Sequence, residues 1–318
     1  MLNIFSKAYR VVVQILCIPI FLSDYFHPTT GRDHNVDFWK KLILMLKMIR
    51  NNSKIVSGSS FLEHLAMATA ILKVPKEIEG VVVECGSYKG VSATNLSLVC
   101  SLCNRKLEIF DSFEGLPEPT EVDLAHTLLA SEEIHTYTKG SWCGTLDEVK
   151  GNISRYGNIS VCNLNKGYFQ DTLPQFKKKC IFVWLDVDLR ESLETCVKYL
   201  WPLLQDGCCL YTHEAAHLEI ASLFFSKEWW QDSLQTSPPG LVGAGCGIGI
   251  KILSGSYFNS SLGYTLKNPC KKNFQEVPQL GGVKVNLASS LKLASPAKPS
   301  INQTQTASFN TKKENQLV

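Results

Sequence analysis

Apolar and polar positions change their spacing several times along the chain, and each change predicts an element. Phe38, Leu42, Met45, Leu46 and Ile49 recur at helical spacing, which predicts an amphipathic helix lying ahead of the main sheet. Ser60 with Glu63 forms a capping-box pattern before apolar residues that run to Leu72, so a second helix follows. From Gly80 the pattern becomes short apolar runs alternating with helical stretches, which requires a parallel sheet with helices on both faces. Strands are expected at Val81 to Cys85, Leu107 to Phe110, Ile159 to Asn163, Ile181 to Asp186 and Cys208 to Thr212, with Gly247 to Leu253 and Tyr264 to Lys267 as an antiparallel closing pair. Helices are expected at Ser92 to Cys103, Thr145 to Tyr156, Leu173 to Phe176 and Glu191 to Leu204. The organisation is thus an amino-terminal apolar segment (1–30), a helical preface (31–79), an α/β domain with a seven-stranded, mostly parallel sheet (80–284), and a polar tail (285–318). That tail has too few large apolar residues to offset the entropy of ordering, so disorder is expected.

Composition narrows the class. Hydrophobic residues make up 45% of the 318 and charged residues 19%, which is ordinary for a globular protein. The net charge of +3 is spread along the chain, apart from short clusters such as Lys177 to Lys179, so no nucleic-acid partner is expected. The twelve cysteines lie largely in apolar runs and are read as reduced core residues; Cys100 and Cys103 form a lone C-x-x-C without the second pair a zinc site needs. Lys7 and Arg10 precede the apolar run Val11 to Leu22, too short to span a bilayer. It reads as a packing helix or as a peripheral membrane contact, which makes the location cytoplasmic with membrane association as the alternative. Homo-oligomerisation is left open.

Candidate chemistry gathers at strand tips. The first strand ends in Glu84-Cys85-Gly86-Ser87-Tyr88-Lys89-Gly90, where Gly86 permits a sharp turn close to a ligand and Gly90 lets the next helix start tight against the strand. The spacing lacks the middle glycine of G-x-G-x-x-G, which favours a cofactor without a pyrophosphate. Asp111 follows at the tip of the second strand, where a carboxylate faces the hydroxyls of a nucleoside ribose. Asp186 and Asp188 flank one residue at the tip of the fourth strand, and such close carboxylates call for a cation or a raised pKa. Asp188 could alternatively cap the helix that opens near Glu191.

Several of these stretches together carry a resemblance. Val82-Val83-Glu84-Cys85-Gly86, then Asp111-Ser112-Phe113-Glu114-Gly115-Leu116-Pro117, then Asp171-Thr172-Leu173-Pro174, then Leu185-Asp186-Val187-Asp188-Leu189 with Glu191-Ser192 resemble, in that order, the TylF/MycF family of macrocin-type O-methyltransferases over about residues 80–251. The resemblance implies a Rossmann-like class I methyltransferase fold, S-adenosylmethionine as methyl donor, a small hydroxylated, sugar-containing acceptor, and Mg2+ holding vicinal hydroxyls. It also implies that Glu84 and Gly86 contact the methionine end of the cofactor and that Asp111 and Ser112 hold its ribose; Ser87 and Gly90 of the same turn are further candidate cofactor-binding residues. Trp142 would pack near the adenine or serve as a core aromatic. Where the family carries D-D-Y, this chain reads Thr212-His213-Glu214-Ala215, which makes the expected metal set Asp186, His213 and Glu214. Arg190 replaces the family's Tyr, with altered substrate contacts expected. The family's base is a histidine of the segment after D-S-F-E-G-L-P, and His126 and His135 both lie there. A nicotinamide oxidoreductase and a non-catalytic nucleoside-binding protein on the same fold are the competing classes.

Overall fold

The computed structural model describes residue 19 and residues 22–124, 137–241 and 261–269. They belong to one compact unit. The expected strand Gly247 to Leu253, the boundary at 285 and the polar tail lie outside the described residues, as does most of the amino-terminal apolar segment.

In chain order the elements are α1 (Phe38–Lys54), α2 (Phe61–Leu72), β1 (Val81–Cys85), α3 (Val91–Cys103), β2 (Leu107–Asp111), α4 (Glu121–Leu124), α5 (Leu146–Tyr156), β3 (Cys162–Lys166), α6 (Phe169–Thr172), β4 (Cys180–Leu185), α7 (Arg190–Leu200), β5 (Leu204–Thr212), α8 (Leu218–Ala221), α9 (Lys227–Leu234) and β6 (Gly263–Leu266). The described strands form a six-stranded sheet ordered β3-β2-β1-β4-β5-β6. Every pairing is parallel except β5 with β6. The order reverses between β1 and β4, which places a crevice at the carboxyl ends of those two strands. Both central strands are buried almost throughout, as a sheet covered on two faces requires. Trp184 and Phe182 on β4 are fully buried, and burial of a side chain such as Phe182 contributes about 1.5–3 kcal/mol.

Local chemistry explains where the observed bounds differ from those expected. β3 starts at Cys162 because Asn158 accepts the Ser160 amide and winds residues 159–161 into a short 3-10 turn. Pro174 limits the expected helix at 173–176 to a 3-10 turn over Leu173–Gln175. α7 stops at Leu200 ahead of Pro202, and β5 begins at Leu204. The capping box opening α2 is complete: the Glu63 carboxylate accepts the Ser60 amide at 2.6 Å and the Ser60 hydroxyl accepts the Glu63 amide at 3.4 Å. All nine described cysteines are free, with Cys100 and Cys103 buried in α3.

α1 departs most from expectation. An apolar stripe ordinarily faces the core, yet Phe38, Leu46 and Ile49 are exposed while the buried positions are Lys41, Leu44, Met48 and Asn51. The inward donors are paired: the Lys41 ammonium donates to the carbonyls of His27 and Thr30, and the Asn51 amide nitrogen donates to the Asn95 side chain. Two buried asparagines and a lysine thus fix which face of α1 turns inward, against the hydrophobic pattern.

Candidate active site

The turn after β1 is tied to both neighbouring strands. The Gly86 amide donates to the Phe110 carbonyl and the Asp186 amide to the Cys85 carbonyl, both at 3.0 Å. Gly86 has φ +83°, and a Cβ there would run into the Asp186 backbone carbonyl. Only glycine therefore fits where β1 meets β4. Gly90, at φ +80°, opens α3, and a Cβ on it would press on Val149 at 2.9 Å.

Asp111 holds this turn in shape. Its Oδ2 accepts the Ser87 amide at 2.6 Å and the Ser87 hydroxyl at 2.9 Å, and its Oδ1 accepts the Phe113 amide at 2.7 Å. The carboxylate itself lines the crevice. Burial raises the Asp111 pKa and these donors pull it back. Ser112 is also engaged, its hydroxyl donating to the Gly115 carbonyl and accepting the Glu114 amide.

Four of the seven sequence-predicted cofactor residues, Gly86, Asp111, Ser112 and Trp142, line one crevice. Trp142 is 42% exposed and meets Tyr88 edge to face at 5.4 Å, so it belongs to the crevice wall and not to the core. Glu84, Ser87 and Gly90 lie behind the wall. Ser87 shapes it through Asp111, and Gly90 through the start of α3.

Glu84 is fully buried on β1 and neither carboxylate oxygen has a well-formed hydrogen bond. Burial pushes its pKa up to about 8, an effect the nearby Ser92 hydroxyl only partly offsets. An acid with a raised folded pKa contributes stability below its unfolded value near 4.5 and loses it as pH climbs toward the folded value. The wild type is therefore expected to lose about 1.4 kcal/mol per pH unit more than Glu84→Gln across that window. Urea unfolding of both at several pH values from 5 to 8 measures the difference, and parallel pH profiles would refute it.

Opposite the glycine turn lies a cluster of acids. Asp186, Asp188 and Glu214 bring carboxylate oxygens within 4.8 Å of one another. Glu214 Oε1 accepts the amides of Val187 and Asp188 at 3.0 Å each, so the turn after β4 is built around it. Burial first, then Asp186, raises the Glu214 pKa to about 7. Burial with Glu214 and Asp186 also pushes Asp188 well above the carboxylate range. Like charges this close resist joint ionisation unless a cation joins them.

His213 sits beside this trio. Its Nδ1 is 3.4 Å from Asp186 and its Nε2 is 3.4 Å from Glu63. Burial alone would lower its pKa, but the Asp186 and Glu63 carboxylates outweigh that and hold it well above the usual histidine value. Both ring nitrogens of His213 thus face carboxylates, Asp186 on one side and Glu63 on the other. Of the expected set Asp186, His213 and Glu214, the structure brings Asp186 and Glu214 together with Asp188, and places His213 beside Asp186.

Other expectations also change. Asp188 does not cap α7; the Arg190 amide donates instead to Asp123 Oδ1 at 2.7 Å. Arg190 is bound to Glu194, the Glu219 carbonyl and the Ser222 hydroxyl, which makes it a strap between α7 and α8. His126 and His135 lie outside the described residues. Sequence reasoning missed Tyr137 and His217, which line the crevice. The Tyr137 hydroxyl is 3.2 Å from Asp188 Oδ1 and 3.3 Å from His217 Nδ1, and His217 lies 3.7 Å from Glu214. Neither belongs to a motif; only the tertiary fold brings them to the strand tips. Glu63 showed in the sequence as a helix cap, but its second oxygen, facing His213, did not.

A family model described as macrocin O-methyltransferase (TylF) matches residues 51–237, more than half the chain. The chain belongs to the TylF family. As a member it is a methyltransferase enzyme, and the stretches quoted from the sequence fall within the matched span. Among solved structures, the O-methyltransferase NovP superposes with a TM-score of 0.50 at 15% identity, covering 70% of this chain and 88% of its own. The calicheamicin methyltransferase CalS11 gives 0.48 at 15% identity, covering 75% and 91%. At such identity the NovP match bears on the fold alone, which is Rossmann-like, as the strand order shows. No curated protein matches the chain. Among the described residues of this TylF-family chain, no helix is long and apolar enough to cross a membrane.

Proposed function

We propose that the chain transfers a methyl group from S-adenosylmethionine to a hydroxyl of a small, sugar-containing acceptor. One observation carries the reading: across a single crevice at the topological switch point, a turn with no room for a side chain at Gly86 faces three clustered carboxylates. The first suits close backbone approach by a nucleoside cofactor; the second suits an acceptor gripped through two oxygens and a hard cation. The family name, taken from an O-methyltransferase of macrocin, supports a hydroxyl acceptor.

S-adenosylmethionine supplies the electrophilic methyl group. The chain would orient it: Asp111 would accept from a ribose hydroxyl, Gly86 would admit close backbone approach, and Trp142 would pack near the adenine. Asp186, Asp188 and Glu214 would hold Mg2+, which suits oxygen donors and would supply Lewis-acid polarisation of a bound hydroxyl. His213 neutralises part of the trio's charge and keeps Asp186 oriented. The acceptor proton leaves through His135, with His126 as the alternative in the same segment. His135 precedes Tyr137 by two residues, about 7 Å of chain at most, and Tyr137 is anchored to the crevice wall through Asp188 and His217. The chain's contribution is then position and proton removal.

Isothermal titration tests this reading. Wild type is expected to bind S-adenosylmethionine but not NAD, and Asp111→Ala to weaken it at least about tenfold through loss of one charged hydrogen bond, about 1.5–3 kcal/mol. Binding of NAD alone, or unchanged affinity in the variant, would overturn it. Retained affinity without turnover of any hydroxylated acceptor would revive the non-catalytic alternative.

A further inference from the structure

α1 carries an apolar face with nothing described against most of it. Trp39, Ile43 and Leu46 are 67%, 53% and 55% exposed, and Phe38 and Ile49 extend the same side of the helix. At 100° per residue these positions fall within an arc of about 140°, which faces away from the buried line of Lys41, Leu44 and Met48. Phe38 packs against Phe26 at 5.1 Å and against Trp39 at 5.5 Å, so the aromatic end is a firm surface. Five of the ten exposed large hydrophobic residues among those described lie on this one helix.

Charge says what the face fits. The 17-residue helix contains Lys40, Lys41, Lys47, Arg50 and Lys54 and no Asp or Glu. Lys40, Lys47 and Lys54 follow one another along one flank of the apolar arc, at sequence spacings of seven. Among the described residues neither Lys47 nor Lys54 takes part in a salt bridge. An apolar face with a basic border, and a tryptophan at its most exposed point, matches a helix lying flat in the headgroup region of an anionic bilayer.

We infer that the outer face of α1 docks on an anionic lipid surface. A second copy of the chain fits less well, because an antiparallel two-fold pairing of this face would set the lysine flank against itself. A nucleic acid would leave Trp39, Ile43 and Leu46 in water. Val56, 67% exposed just beyond α1, carries the apolar face to within two residues of Gly58, which lines the crevice. Docking therefore sets the rim of the active site beside the bilayer surface. The inference stands apart from the identity of the methyl acceptor.

Flotation of the full chain with phosphatidylcholine vesicles, with and without phosphatidylserine, tests the inference. The chain is expected to float only with the anionic vesicles, and to release in 1 M salt, where the screening length falls to about 3 Å. Each lysine near such a surface is worth about fivefold in partitioning, so Lys47→Ala with Lys54→Ala is expected to lower it about 25-fold. Trp39→Ala with Leu46→Glu is expected to abolish it, and unchanged circular dichroism melting shows that these exposed positions leave the fold intact. Absence of flotation overturns the inference. So does flotation of both double variants like wild type, which would place binding elsewhere, including residues 1–18. A dimer that the variants dissolve, with no vesicle binding, would identify a second copy as the occupant.

Discussion

Gly86→Ala is expected to cost about 3 kcal/mol or more of stability and to reduce S-adenosylmethionine affinity below detection. Two penalties add at this position. The backbone is held at φ +83°, a conformation that costs a residue with a Cβ of order 1 kcal/mol or more. The new methyl group would also collide with the Asp186 carbonyl, and overpacking of this kind typically costs about 1–3 kcal/mol. Relief requires β1 and β4 to part at their tips, yet the Asp186 amide is bonded to the Cys85 carbonyl. The same displacement moves the acid trio relative to the turn, so binding falls with stability. Urea unfolding and isothermal titration read the two effects. A variant of near-native stability that still binds the cofactor would show that the turn is looser than its geometry demands.

Legibility in the sequence followed the range of the interactions involved. β1 matches its expected bounds of Val81 to Cys85 because a central parallel strand is a continuous apolar run. That Asp111 and Gly86 line the crevice was legible because both sit at strand tips, where topology fixes what faces it. α1 shows the opposite case: its hydrophobic stripe marks the exposed face, since the side turned inward is chosen by Asn51 meeting Asn95 across 44 residues of sequence. The acid trio was half legible. Asp186 and Glu214 end strands, but Asp188 was drawn toward a capping role that Asp123 fills from 67 residues away. The place of His213 beside the strand tips was legible, but its contact with Glu63 from the helical preface was not. Pairings of that kind leave no periodic trace.

Glu214→Gln is expected to separate activity from stability. The amide keeps an oxygen that can accept the Val187 and Asp188 amides, so the turn after β4 survives. It removes one of three carboxylates crowded within 4.8 Å, which relieves repulsion when no cation is present. Stability measured with a chelator is therefore expected to equal or exceed wild type. Methyl transfer is expected to fall by about 100-fold or more, the effect of losing about 2.7 kcal/mol of electrostatic stabilisation at a reacting oxygen. Activity in wild type should rise with added Mg2+, and in the variant that response should require far more of the ion. If the variant instead keeps wild-type turnover and loses stability, Glu214 is a brace for the β4 turn and the acceptor is held without it.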